Sequence, residues 1–113
     1  MARNDGELLR GTFDLMILKA LSLGPIHGWG VAERIERLTG VFEIQQGVVF
    51  PALQRLLQRG LVKAEWRVTE NSRRARYYKL TASGQRELAE ETESWRRAAA
   101  GIARILRAES ETP

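Results

Sequence analysis

Gly60-Leu61-Val62-Lys63-Ala64-Glu65-Trp66-Arg67-Val68, followed by Thr69-Glu70-Asn71-Ser72-Arg73-Arg74-Ala75 and Arg76-Tyr77-Tyr78-Lys79-Leu80-Thr81, is the stretch that decides the fold. Val62, Ala64, Trp66 and Val68 alternate with Lys63, Glu65 and Arg67, the period of a strand. The polar run after Val68 is rich in turn formers, and Arg76 to Leu80 reads as a second short strand. Together they make a hairpin with a basic tip. Gly60 before it reads as the left-handed stop of a helix, with Leu61 as its hydrophobic contact. Thr81-Ala82-Ser83-Gly84 after it opens another helix.

Upstream, three helices lead into the hairpin. The one nearest runs from about Gly47 to Arg59, with Val49, Leu53, Leu56 and Leu57 as its apolar stripe. Pro51 is expected in its first turn, where a missing N–H costs little. Before it, Val41 to Gln46 is a connector expected to hold one small strand. From Gly28 to Thr39, Val31, Ala32, Ile35 and Leu38 recur at helical spacing opposite Glu33, Arg34, Glu36 and Arg37, and Gly40 ends the element. Gly24-Pro25 separates it from a first helix, Thr12 to Leu23, whose apolar residues cover nearly every face. Such a helix has to be covered on more than one side. Its own core supplies one cover, and a second subunit is the natural other. Residues up to Gly11 read as a polar arm with a Leu8-Leu9 pair.

Downstream, one helix is expected to reach about Arg107. Leu88, Thr92, Trp95, Ala99, Ile102 and Leu106 step by four and three along it, a heptad-like seam on a charged rod. At the standard rise it is about 35–40 Å long, more than so small a body needs. Ser110 to Pro113 reads as a frayed tail. The expected fold is mainly α, an α+β winged helix-turn-helix with a three-helix core, a two-stranded wing and a long C-terminal dimerisation helix. Residues 1–80 form the winged unit, and 81–113 the dimerisation helix and tail.

Composition sets the outer limits. At 113 residues there is room for one domain, and the net charge of +4 leans only mildly toward a polyanionic partner. With no cysteine, disulfides and thiolate metal sites are excluded. The N-terminus lacks a basic-then-apolar signal pattern, and Leu15 to Leu23 is too short to span a bilayer, so the cytoplasm is the expected location. No Ser-His-Asp order, phosphate-binding glycine loop or metal-ligand spacing occurs. Neither an enzyme nor a metal or cofactor is expected. His27, the one histidine, reads as a cap or core contact, and Glu90, Glu91 and Glu93 as solubilising charges.

Several stretches resemble the PadR-type transcriptional regulators. They are Leu9-Arg10-Gly11-Thr12-Phe13-Asp14-Leu15, Gly24-Pro25-Ile26-His27-Gly28-Trp29-Gly30, Gly47-Val48-Val49-Phe50-Pro51-Ala52-Leu53, Arg59-Gly60-Leu61, Arg74 to Thr81 with Gly84, and Ser94-Trp95-Arg96-Arg97. They span nearly the whole chain in the family's order, and the short C-terminus resembles its compact branch. The resemblance implies a homodimer built through the first and last helices, usually a repressor at a palindromic operator. Many members carry Tyr where Phe50 stands and Ser where Val48 stands, so two hydroxyls of the family's third helix are missing here.

The candidate sites follow. At the wing tip, Asn71, Arg73, Arg74 and Arg76 would lie along phosphates or reach the minor groove. In the third helix, Gln46, Val48, Phe50, Gln54 and Arg55 are the candidates for the major groove, with Phe50 against a thymine methyl or packed into the wing. Phe13, Met16, Leu88, Trp95, Ile102 and Leu106 are the candidates for the dimer interface. Trp95 reads first as interface packing; by the resemblance, two copies could also stack a small flat aromatic effector. Trp29 and Trp66 are expected in the core with a polar edge. The rival to a double-stranded DNA partner is a winged-helix docking module for another protein, with no operator.

Overall fold

A computed structural model describes residues 5–111 of the protein, with side chains from Gly11 onward. The elements in order are α1 (Asp5–Ser22), β1 (Ile26–His27), α2 (Gly28–Thr39), α3 (Gln46–Gln58), β2 (Val62–Val68), β3 (Arg74–Leu80) and α4 (Ala82–Arg107). This is the expected winged helix-turn-helix. The sheet is antiparallel in the order β1-β3-β2.

Three expectations about local structure are corrected. The stretch before Gly11 is not an arm, because α1 already begins at Asp5. The side chains of Leu8 and Leu9 lie outside the described residues, as do Thr112 and Pro113. The small extra strand is not in the Val41–Gln46 connector but at Ile26–His27, where it pairs with Tyr78 and Tyr77 and makes the sheet three-stranded. The connector's backbone goes elsewhere: Ile44 donates its N–H to the Glu36 carboxylate. Pro51 lies past the first turn, since α3 starts at Gln46. The carbonyl of Gly47, four residues back, therefore has no N–H of residue 51 to accept.

The core is formed where the three helices meet the root of the hairpin. Ile17, Leu18, Val31, Val49, Leu53 and Leu56 are fully buried, with Val62 and Tyr78 closing the sheet side. The α3–β2 turn is a Schellman motif. Leu61 N–H bonds to Leu56 O at 3.0 Å and Gly60 N–H to Leu57 O at 3.0 Å, and Gly60 takes the φ of +72° that this geometry needs. Arg34 closes the end of α1, its guanidinium donating to Ala20 O at 2.9 Å and Gly24 O at 2.8 Å. Carbonyls at the Gly24-Pro25 break thus gain a charged donor, Ala20 O in addition to the Leu23 N–H it accepts at 3.3 Å.

α4 is joined to the hairpin at one tight point. Thr81 Oγ1 accepts from Gly84 N–H at 3.0 Å and donates to Gly60 O at 2.7 Å, while Thr81 N–H bonds to Leu61 O at 3.1 Å. From there α4 passes along α1 and then leaves the body, giving the molecule an extent of 66 Å against 27 and 21 Å in the other directions.

Candidate nucleic-acid interface

The hairpin has one face with two environments. Val62, Ala64, Trp66 and Val68 pair across it with Leu80, Tyr78, Arg76 and Arg74. At the root these side chains meet the core. At the outer end Trp66 and Val68 are exposed, so Trp66 is not the core residue its alternation suggested. A seven-residue strand is about 23 Å long, and only its first half lies over the helices.

Rings along the hairpin organise the wing's cations. The Arg74 guanidinium lies 5.0 Å from the Trp66 ring centre, Arg76 5.8 Å from Tyr78, and Arg67 5.1 Å from Tyr77. Planar guanidiniums on aromatic faces lose less freedom when they meet an anion. Arg67 Nε also donates to Glu65 at 2.8 Å, and this bond holds the Glu65 carboxyl below the usual carboxylate range. The turn is fixed by Thr69, whose N–H donates to Arg73 O at 2.7 Å and whose carbonyl accepts from Ser72 N–H at 2.9 Å. Asn71, Arg73, Arg74 and Arg76 are all exposed.

Of the α3 candidates, Gln46, Val48, Phe50 and Gln54 face outward. Gln46 Nε2 donates to the Trp29 carbonyl at 3.2 Å, which holds the first turn of α3 against the start of α2. Phe50 is about half exposed, at 47%. Its ring lies against Gly28 of α2, where a Cβ would stand 2.5 Å from Phe50 Cε1. Arg55 is committed inward, Nη2 donating to Asp14 Oδ1 of α1 at 3.0 Å.

The start of α2 supplies residues that the sequence reading placed in the core. Trp29 is 43% exposed and stacks on His27, ring centres 3.8 Å apart. His27 meets the edge of Tyr77 at 5.4 Å. These rings and the wing turn enclose a cleft of about 430 Å³, lined also by Thr69, Glu70, Asn71 and Arg73. The glycines on either side of Trp29 were the available signal. Both are buried, and a Cβ on Gly30 would meet Ile26 at 2.5 Å.

His27 caps α2 as expected, its Nδ1 accepting from Gly30 N–H at 3.0 Å. Burial pushes its pKa below the ordinary value of 6.5, against the opposing pull of Glu33. The unfolded chain therefore takes up this proton first as the pH falls. The stabilisation is complete above 6.5 and is lost as pH drops through the lower folded-state value. Between about pH 7.5 and 5 the melting temperature is expected to fall more steeply in the wild type than in His27→Asn, which keeps a capping oxygen but does not titrate. Equal slopes would place the acid sensitivity elsewhere.

The dimer candidates lie on another side. Phe13, Met16 and Leu88 are partly buried against the core. Trp95 is 48% exposed, and Ile102 and Leu106 stand clear of the body at 50% and 78%. Leu15, Met16, Leu38, Phe42, Leu88 and Trp95 line an apolar groove of about 470 Å³ between α1, the end of α2 and α4. Leu38, grouped with the core by its spacing, is 61% exposed on the rim. Among the described residues no cluster of His, Asp or Glu could hold a metal ion, and no helix is long and apolar enough to cross a membrane.

Comparison with known proteins agrees with this architecture. A PadR family transcriptional regulator from Eggerthella lenta is 27% identical, with a TM-score of 0.75 over 91% of this chain and 88% of its own. A PadR-like transcriptional regulator from Bacillus cereus shares the fold at 21% identity, with a TM-score of 0.78 over 91% of this chain and 99% of its own. An uncharacterized protein of Lysinibacillus sphaericus is 25% identical over 96 residues, 84% of this chain and 86% of its own. The model of the PadR-like transcriptional regulator family matches residues 17–90, from the buried middle of α1 through the wing into α4. The chain belongs to the PadR-like family of transcriptional regulators.

Proposed function

We propose that the protein is a sequence-specific, dimeric DNA-binding repressor whose hold on its operator answers to a ligand. Residues 1–80 act as the DNA-binding unit and 81–113 as the dimerisation helix and tail. The observation that carries this reading is the adjacency of two DNA-competent elements. Gln46 at the start of α3 bonds to Trp29, and Trp29 lines the same cleft as Asn71 and Arg73 of the wing. One duplex can thus meet both. Gln46, Val48, Phe50 and Gln54 would face the major groove, and Arg73, Arg74 and Arg76 the flanking backbone. Arg55, held by Asp14, serves to fix α3 against α1.

Two copies joined through α1 and α4 would present two such surfaces to a palindromic operator, with half-sites about one helical turn apart. A small aromatic effector in the α1–α4 groove, against Trp95, would change the angle between the copies. That is the simplest route from a ligand to release of the operator.

The test is selection of duplexes from the host genome by the purified protein, followed by footprinting and salt titration. A DNA binder loses affinity with a log–log slope of about 0.9 per phosphate contacted. No sequence-specific footprint even at low salt would remove this reading and leave a protein-docking module. Arg73→Ala with Arg74→Ala is expected to weaken binding to all sequences alike and to flatten the slope by about two. An unchanged slope would take the wing off the phosphates.

A further inference from the structure

The cleft between the wing turn and the start of α2 has a chemistry of its own. His27 Nδ1 accepts from Gly30 N–H, which in the neutral ring leaves the proton on Nε2. That ring is fixed, stacked on Trp29 on one side and against the edge of Tyr77 on another. The lining therefore combines an imidazole N–H, an indole N–H, a phenol, the Asn71 amide and the Arg73 guanidinium, with Glu70 the one acidic group. Donors outnumber acceptors, one of them carries a full charge, and flat rings stand between them.

We propose that this cleft seats one sugar–phosphate unit of the bound duplex, its phosphate on Arg73, Asn71 and His27 and its sugar against Trp29. The proposal rests on the DNA-binding reading and deepens it: the backbone contact assigned there to Arg73 is extended to His27, Trp29 and Tyr77, which line the same cleft. Its position favours a backbone unit over a base. The cleft adjoins the first turn of α3 through the Gln46–Trp29 hydrogen bond, so it lies beside the groove that α3 would enter. The strand bordering that groove is the part of the duplex that reaches it. Phosphate and sugar are the same at every step, so the contact adds affinity without sequence preference.

The chain's three tryptophans make the test direct. Protein labelled with 5-fluorotryptophan gives one fluorine resonance per tryptophan, each assigned by a single Trp→Phe variant. Titration with a labelled duplex of arbitrary sequence at low salt follows binding by anisotropy and the cleft by the Trp29 resonance. The Trp29 resonance is expected to shift in step with binding and to lose its solvent isotope effect. His27→Asn, which keeps the cap, and Tyr77→Phe are each expected to weaken every duplex by roughly threefold to tenfold. Arg73→Gln should lower the salt slope by about one, and Glu70→Gln should strengthen binding. A Trp29 resonance that stays put while anisotropy reports bound duplex overturns the seat and leaves the DNA-binding reading standing. Absence of binding to any duplex overturns both.

Discussion

Gly84→Ala is expected to lower the unfolding free energy by about 3 kcal/mol and the melting temperature by on the order of 10 °C. A methyl group at Gly84 would stand 2.0 Å from the carbonyl oxygen of Leu61 and 3.1 Å from Leu80 Cδ2. The nearer obstacle is backbone, and it is already held. Leu61 O accepts from Thr81 N–H, and Leu61 N–H completes the Schellman turn of α3. To make room, either the α3–β2 turn or the first turn of α4 has to move, and Thr81 bonds to both. Gly101→Ala on the same helix is the control. Nothing lies within 4 Å of its Cβ position, so loss of a mid-helix glycine should stabilise by about 0.5–1 kcal/mol. Thermal and urea unfolding at one protein concentration would read both changes. A Gly84→Ala protein as stable as the wild type would mean that α4 is not docked this closely.

What was legible in the sequence, and what was not, follows from the range over which each signal acts. The hairpin, the helix stop at Gly60 and the length of α4 are local patterns, and the structure keeps all three. Local alternation failed where an element outruns the body. Trp66 follows Val62 and Ala64 in perfect register, yet it is exposed because no helix lies beneath that end of β2. Leu38 likewise keeps the α2 spacing after the core has ended. The strand at Ile26–His27 is too short to show a period, and only its pairing with β3 defines it. Trp29 was misplaced for a related reason. The buried glycines around it bring Phe50, Ile26 and His27 close to the backbone, and the indole is left facing the wing. Arg55 has a partner that local pattern could not show, Asp14, 41 residues away in sequence.

On the proposed dimeric-repressor reading, Trp95→Glu is expected to give a monomer in sedimentation and to weaken operator binding by about two to four orders of magnitude. The size follows from geometry. When two recognition surfaces are linked, the second half-site is bound at a high effective concentration, and separating the subunits removes that advantage without touching a DNA contact. A carboxylate in the α1–α4 groove would have to be buried beside Leu15, Met16, Leu38 and Leu88, at a cost of several kcal/mol when a second subunit covers it. Trp95 also touches its own subunit, so the substitution alone could weaken one chain's fold. Ile102→Asp separates the two effects. Ile102 lies one heptad beyond Trp95, half exposed on the part of α4 that leaves the body, so a charge there leaves the isolated subunit's core intact. If dimerisation runs along this face, Ile102→Asp should dissociate the protein as Trp95→Glu does while each monomer keeps its helical content. A variant pair that stays dimeric and keeps its operator affinity would move the interface off α4 altogether.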